Sequence, residues 1–274
     1  MKSVLLHIND DDGLEARMQV ALDIVRATGG HLTCLHVTPI QTFVGADGFG
    51  AAYAAGELIA ALERKEMLAR GQIETQLAAE GVSWSILQET ADPAVSLLNH
   101  SGLSDIIVLS SPRKAKGQGA TFGVIGDVVI KSRTPVLAVP DSSRSFDING
   151  TAVVAWNGSI ESANAIRLAV PMLTLASEIH IVTVEEEKED ANYLPSTAAS
   201  EYLSRHGLTS TLHAIPLQSA SGSSAEVLVG KTVKLGADYL VMGAYGHSRI
   251  AQYFFGGVTR FMLRDAPFPL LIAH

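Results

Sequence analysis

Residues 105–110 read Asp-Ile-Ile-Val-Leu-Ser, and residues 238–243 read Asp-Tyr-Leu-Val-Met-Gly, the same kind of apolar run at an offset of 133. Each is followed by a polar loop, a short helical stretch and a second apolar run. The second runs are Thr-Pro-Val-Leu-Ala-Val at 134–139 and Phe-Pro-Leu-Leu-Ile-Ala at 268–273, offset by 134. Further upstream, Val4–Asn9 matches Ala152–Asn157 at an offset of 148, and Glu80-Gly81 matches His206-Gly207 at an offset of 126. An internal repeat of this length outranks any single motif in deciding the fold. The falling offset places extra chain in the first half, in the loop Thr38–Gly56 with its four glycines. The later rise places a few extra residues in the polar stretch Gln218–Ser224.

Working outward, each half alternates short apolar runs with helical patterns. The runs are Val4–Ile8, Leu32–Val37, Trp84–Leu87, Ile106–Leu109 and Pro135–Val139, then Ala152–Trp156, Ile179–Val184, Thr211–Ile215, Tyr239–Met242 and Pro269–Ala273. Val-, Ile- and Leu-rich runs this short suit parallel strands covered on both faces. Helical periodicity fills Leu14–Ala27, Glu57–Ala79, Ser159–Leu175 and Ser223–Leu235. The order predicts an α/β protein of two tandem, open, five-stranded parallel-sheet domains with helices on both faces. The expected boundaries are 1–140, an exposed polar linker at 141–150, and 151–274.

The chain of 274 residues is 47% hydrophobic and 18% charged, which supplies a core and excludes disorder. Its net charge of −8 divides equally between the halves, so neither is a basic nucleic-acid module. A single cysteine, Cys34, excludes an intrachain disulfide framework and suits a reducing compartment. No apolar run approaches the roughly 18 residues of a membrane span, and the first residues lack a signal-peptide pattern. A soluble cytoplasmic protein is expected, with no membrane or nucleic-acid partner.

Open α/β sheets bind ligands beyond the carboxyl ends of their strands. In the second half this region carries Gly243, Gly246, Gly256 and Gly257 in the pattern G-x2-G-x9-G-G, followed by Val258 and Thr259. Glycines let a ligand approach the backbone, and the helix expected at Val258–Arg264 offers free N–H groups to an anion. His247, Arg249 and Arg260 add positive charge nearby. The chain has no P-loop and no G-x-G-x-x-G after its first strand. From spacing alone, turn chemistry and helix capping are the favoured reading of the glycines.

The repeat and this motif resemble the universal stress protein family, with two copies of its domain in one chain. The resemblance spans essentially all residues. It implies an adenine nucleotide alpha hydrolase-like fold and, for the branch whose signature is G-x2-G-x9-G-[ST], binding of ATP. Gly243, Gly246 and Gly256 fall on the three signature glycines, and Gly257 stands where Ser or Thr is usual. The family's Asp-Gly-Ser-like turn reads Asn157-Gly158-Ser159 here, preceded by Ala155 and Trp156, whose ring either stacks on a base or crowds it. By resemblance, Val184 and Met242 line the adenine pocket. By resemblance to single-domain relatives, whose two subunits pack together, the edge strands Val136–Val139 and Leu270–Ala273 are expected to meet across a pseudo-two-fold axis, which also hides two open edges and makes an intramolecular pseudo-dimer. A further homodimer is compatible with this arrangement.

The first half departs from that pattern. Ser110 and Arg113 replace two signature glycines, Gly123 alone remains, and Asp10, Asp11 and Asp12 crowd negative charge where phosphate would lie. Only the second half is expected to bind ATP, with or without Mg2+. The resemblance implies a stress-response regulator that reports energy state through contacts with an unidentified protein partner. The alternatives are a protein-interaction scaffold or small-molecule carrier of the same fold, and a slow ATP hydrolase. No general base is evident, so no catalytic residue is assigned.

Other residues read as structural. Cys34 is expected to be buried and inert. His7 and His36 are expected as core or rim residues near strand ends, and His180 and His213 as strand residues facing helices or solvent. No Cys/His cluster has zinc spacing, and no metal site is expected; Asp10–Asp12 read as an acidic helix start.

Overall fold

The computed structural model describes residues 1–39, 52–112, 122–143, 146–185, 194–217, 222–244 and 257–274; the side chains of 52–63, 65 and 66 are left aside. Its strands are β1 (Ser3–Ile8), β2 (His31–Pro39), β3 (Ser83–Ala91), β4 (Ile106–Ser110), β5 (Val136–Val139), β6 (Thr151–Ala155), β7 (Glu178–Glu185), β8 (Thr211–Pro216), β9 (Tyr239–Gly243) and β10 (Leu270–Ala273). The described helices are α1 (Leu14–Thr28), α2 (Ala52–Ala79), α3 (Pro93–Ser101), α4 (Gly123–Lys131), α5 (Ile160–Leu173), α6 (Ser196–Arg205), α7 (Ser224–Lys234) and α8 (Gly257–Asp265). None of them is long and apolar enough to cross a membrane.

The ten strands form one sheet in the order β3-β2-β1-β4-β5-β10-β9-β6-β7-β8. Each half is parallel throughout. The halves join where β5 and β10 pair antiparallel, Leu137 opposite Leu271. The two edges expected to meet do so, and one continuous sheet results. Only β3 and β8 keep an open edge, and β8 alternates exposed with half-buried positions, as an edge strand does.

Strand alternation sends side chains to two core layers. Leu6, Ile8, Cys34, Val154, Ile181 and Val241 pack in one with α1, α2, α5 and α6. Leu5, Val37, Leu109, Val153, Val182 and Met242 pack in the other with α3, α4, α7 and α8. The stretch read as an exposed linker is partly core. Ile148 is buried, and the Phe146 ring packs on Tyr239 at 6.0 Å. These two apolar side chains outweigh the polar residues around them and tie the connection to the second half.

Several helices start on recognisable caps. Asp92 accepts the Val95 N–H ahead of Pro93, and Ser223 with Glu226 forms a capping box on α7. Cys34 is fully buried, and burial pushes its thiol up to about 12, so no thiolate nucleophile forms at neutral pH.

Candidate functional site

Three adjacent strands of the second half end together. β6 lies between β7 and β9, with Ala155 opposite Val182 and Val154 opposite Val241. Ala155, Val184 and Met242 therefore share one face, that of α7 and α8. Met242 is buried and the other two are half-buried, so they form a small apolar floor at the strand ends. On the same side α8 begins at Gly257. A methyl group added at Gly257 meets no described atom within 4 Å. Val258 is partly exposed. Thr259 is buried on the inward stripe with Met262 and Leu263, so at this turn the backbone rather than that hydroxyl faces outward. Gly246, His247, Arg249 and Gly256, the other expected site residues, lie outside the described residues.

Not every expected residue joins this group. Trp156 follows the alternation into the opposite layer, where it is 5% exposed and donates its indole N–H to the Leu194 carbonyl at 3.1 Å. It neither stacks beside Met242 nor crowds it, because the sheet lies between them. Asn157 uses its Oδ1 locally, accepting from the Ser159 N–H at 3.2 Å and the Ser159 hydroxyl at 2.8 Å. Ser159 in turn caps α5. Arg260, read as charge beside the anion site, instead lies over the Phe122 ring of the first half, 5.6 Å from its centroid.

Gly243 has a packing role of its own. A Cβ there would lie 2.4 Å from the Glu161 carbonyl carbon and 2.6 Å from the Ser162 nitrogen. The end of β9 presses directly on the backbone of the first turn of α5, which only glycine permits.

The first half handles the same junction with side chains. Arg17, on α1, is 1% exposed. Its guanidinium donates to Asp11 Oδ1 at 2.6 Å, Ser110 Oγ at 2.8 Å, the His7 carbonyl at 2.7 Å and the Asn9 carbonyl at 3.0 Å. Ser110 is the counterpart of Gly243, and at the offset of 148 that pairs His7 with Ala155 the counterpart of Arg17 in α5 is the buried Ala165. A cation thus bridges β1 and β4 where the other half has bare backbone. Asp11, expected as part of a solvated acidic turn, is ion-paired with this arginine. His7 takes the place of Ala155. Its Nε2 is buried without a hydrogen-bond partner. Burial, helped by the nearby Arg17 charge, lowers its pKa to about 4, so it is neutral at physiological pH. Gly123, the one surviving signature glycine here, has φ +40, a backbone reason to persist without any ligand.

His7 and His36 sit near strand ends as expected, but on opposite faces of the sheet, His36 lining a cavity of ≈ 90 Å³ with Ile8, Ile73, Ile86 and Gln88 under α2. His180 and His213 lie on a helix-covered face, as expected, and also meet each other there: His180 Nδ1 and His213 Nε2 are 3.1 Å apart. That contact links β7 and β8 across 33 residues of sequence, which no local pattern signals. Among the described residues, no group of three or more His, Cys, Asp or Glu side chains converges as metal ligands.

The profile of the universal stress protein family matches this chain twice, over residues 1–140 and 149–274. The chain belongs to the universal stress protein family. Each half of the sheet corresponds to one match. Universal stress protein Slr1230 of Synechocystis is 24% identical, with 99% of both chains covered. A universal stress protein of Archaeoglobus fulgidus shares the fold with a TM-score of 0.74 at 17% identity, covering 98% of this chain and 97% of that one. The protein PA1789 of Pseudomonas aeruginosa, described as functionally unknown, aligns with a TM-score of 0.63 at 16% identity, covering 100% of this chain and 92% of that one. The tandem arrangement therefore extends along whole relatives.

Proposed function

We propose that this universal stress protein binds one adenine nucleotide per chain, in its second half, and acts as a nucleotide-responsive stress regulator. The observation that carries the reading is the contrast at the strand ends. In the second half an apolar floor of Ala155, Val184 and Met242 lies beside the helix start at Gly257, where an added methyl group meets no described atom. In the first half, His7 and the buried Arg17 network occupy the equivalent positions. Adenine needs an apolar slot, and a polyphosphate needs unpaired main-chain N–H groups at a helix N-terminus. The nine-residue α8 offers those groups at Gly257, Val258 and Thr259. The G-x2-G-x9-G spacing places Gly246 and Gly256 on the same loop, where the family resemblance puts the phosphates. Mg2+ would arrive with the phosphates rather than on a protein cluster.

The base would be held by packing and the phosphates by backbone. No step of hydrolysis follows from this arrangement, and the reading is that of a binding module. The protein response would be a changed surface near the Gly243–Gly257 loop, available to a protein partner. A second reading, a scaffold that has lost nucleotide, is favoured by Asn157, whose side-chain oxygen is already committed to Ser159. Mass spectrometry of the denatured, purified chain separates them. Co-purified adenine nucleotide supports binding. Its absence, together with no heat on titration of ATP with Mg2+, supports the scaffold. Gly246→Val should abolish the heat while leaving the far-ultraviolet circular dichroism unchanged.

A further inference from the structure

Far from the strand ends, His180 on β7 and His213 on β8 meet on the face covered by α7. Glu178 lies on the same face, two residues before His180, and its Oε2 is 3.3 Å from His180 Nε2. A carboxylate at one imidazole nitrogen holds the proton there and leaves the other nitrogen, here Nδ1, with a lone pair. That lone pair points at His213 Nε2, 3.1 Å away. The pair is reachable: β8 is the last strand of the sheet, and both histidines are only half-buried.

We propose that His180 Nδ1 and His213 Nε2 form a binding site for a single divalent transition-metal ion of the zinc type, completed by water, with Glu178 as the carboxylate that orients His180. The distances suit it. With Zn–N bonds of about 2.0–2.1 Å, a 3.1 Å separation of the two nitrogens subtends roughly 98° at the ion, between the tetrahedral and octahedral angles. Imidazole is the ligand such ions accept at neutral pH, in preference to Mg2+ or Ca2+. Binding requires one proton shift. The hydrogen on His213 Nε2 moves through water to Nδ1 of the same ring, and the freed lone pair turns to the ion. The nearby Lys231 ammonium opposes an added positive charge, so affinity in the micromolar range is expected rather than that of a closed structural site.

The test is calorimetric titration of the full chain with ZnCl2 alone at neutral pH, alongside thermal unfolding. Wild type should bind about one Zn2+ and gain in melting temperature. His180→Ala and His213→Ala should each lose the saturable signal, and Glu178→Gln should weaken it by about 10–100-fold, as loss of an outer carboxylate does. Should an alanine variant fold poorly, His213→Gln keeps the shape and a polar end and should lose binding equally. Added ATP should leave the zinc affinity unchanged, which separates this site from the nucleotide reading. Absence of zinc binding in wild type, or unchanged binding in the folded His180 and His213 variants, overturns the proposal.

Discussion

In the first half, the start of α1 packs against Ser110, where a Cβ on Gly13 would fall 2.5 Å from the hydroxyl, and a buried guanidinium donates to that same hydroxyl. In the second half, the helix after β6 touches Gly243 backbone to backbone and needs no bridge. Both halves have the same strand order and the same pairing, so the fold alone does not decide what the strand ends do. One junction is satisfied by a charged side chain that consumes its hydrogen-bonding capacity internally. The other is satisfied by contact of bare main chain. The two repeats thus share the scaffold and differ at the strand ends at positions 7/155, 17/165 and 110/243.

Breaking the arginine bridge should have the largest effect. Arg17→Ala removes a charge that holds Asp11 and Ser110 and leaves an ion pair half-made in a buried place, at an expected cost of about 3–5 kcal/mol in urea unfolding. Ala165→Arg in the second half, by contrast, should obstruct nucleotide if the comparison of the two crevices is right. Acid should act next. His7 is neutral in the folded chain with a pKa of about 4, whereas unfolded chains protonate near 6.5. The unfolded state therefore binds more protons as pH falls from about 6.5 towards 4, and stability falls with it, by up to about 3 kcal/mol from this group. His7→Ala, the residue found in the other half, should flatten that slope; an unchanged slope would show that His7 is not the group concerned.

At Gly243, alanine forces a methyl group into the backbone of Glu161 and Ser162, and a cost of about 2–3 kcal/mol is expected from overpacking. Its counterpart Ser110→Ala removes one hydrogen bond to Arg17 and should cost about 1 kcal/mol. If the two substitutions cost the same, the junctions are not built differently. The smallest effect on stability is expected at Gly257, where an added methyl group meets no described atom. Gly257→Ser should stay within about 0.5 kcal/mol of wild type. It should nonetheless tighten ATP by up to about tenfold, the worth of one added hydrogen bond to phosphate. Calorimetry of that variant sharpens the assignment of α8 to the anion.

The strand and helix pattern was legible because burial on both faces leaves uninterrupted apolar runs, and because the repeat allowed each half to check the other. The meeting of Val136–Val139 with Leu270–Ala273 followed from the family resemblance, and it hides two edges. What escaped were side-chain contacts between residues distant in sequence. Nothing local to Arg17 marks its partner Ser110, 93 residues away. The linker reads as polar because Phe146 and Ile148 are outnumbered, although two large apolar side chains suffice to dock it. Which face Trp156 takes relative to Met242 depends on register between β6 and β9, which sequence alone does not supply. The His180–His213 contact depends in the same way on the pairing of β7 with β8. Spacing did reveal the glycines and the start of α8, since turn and helix-start chemistry is local.

The central claim is that one crevice of the two takes a nucleotide. Calorimetric titration of the intact chain with ATP and Mg2+ measures this directly as a stoichiometry. About one nucleotide per chain is predicted, lost in Gly246→Val and retained in Gly123→Ala provided that variant folds. Two equivalent sites, no site at all, or a single site untouched by Gly246→Val would contradict the account.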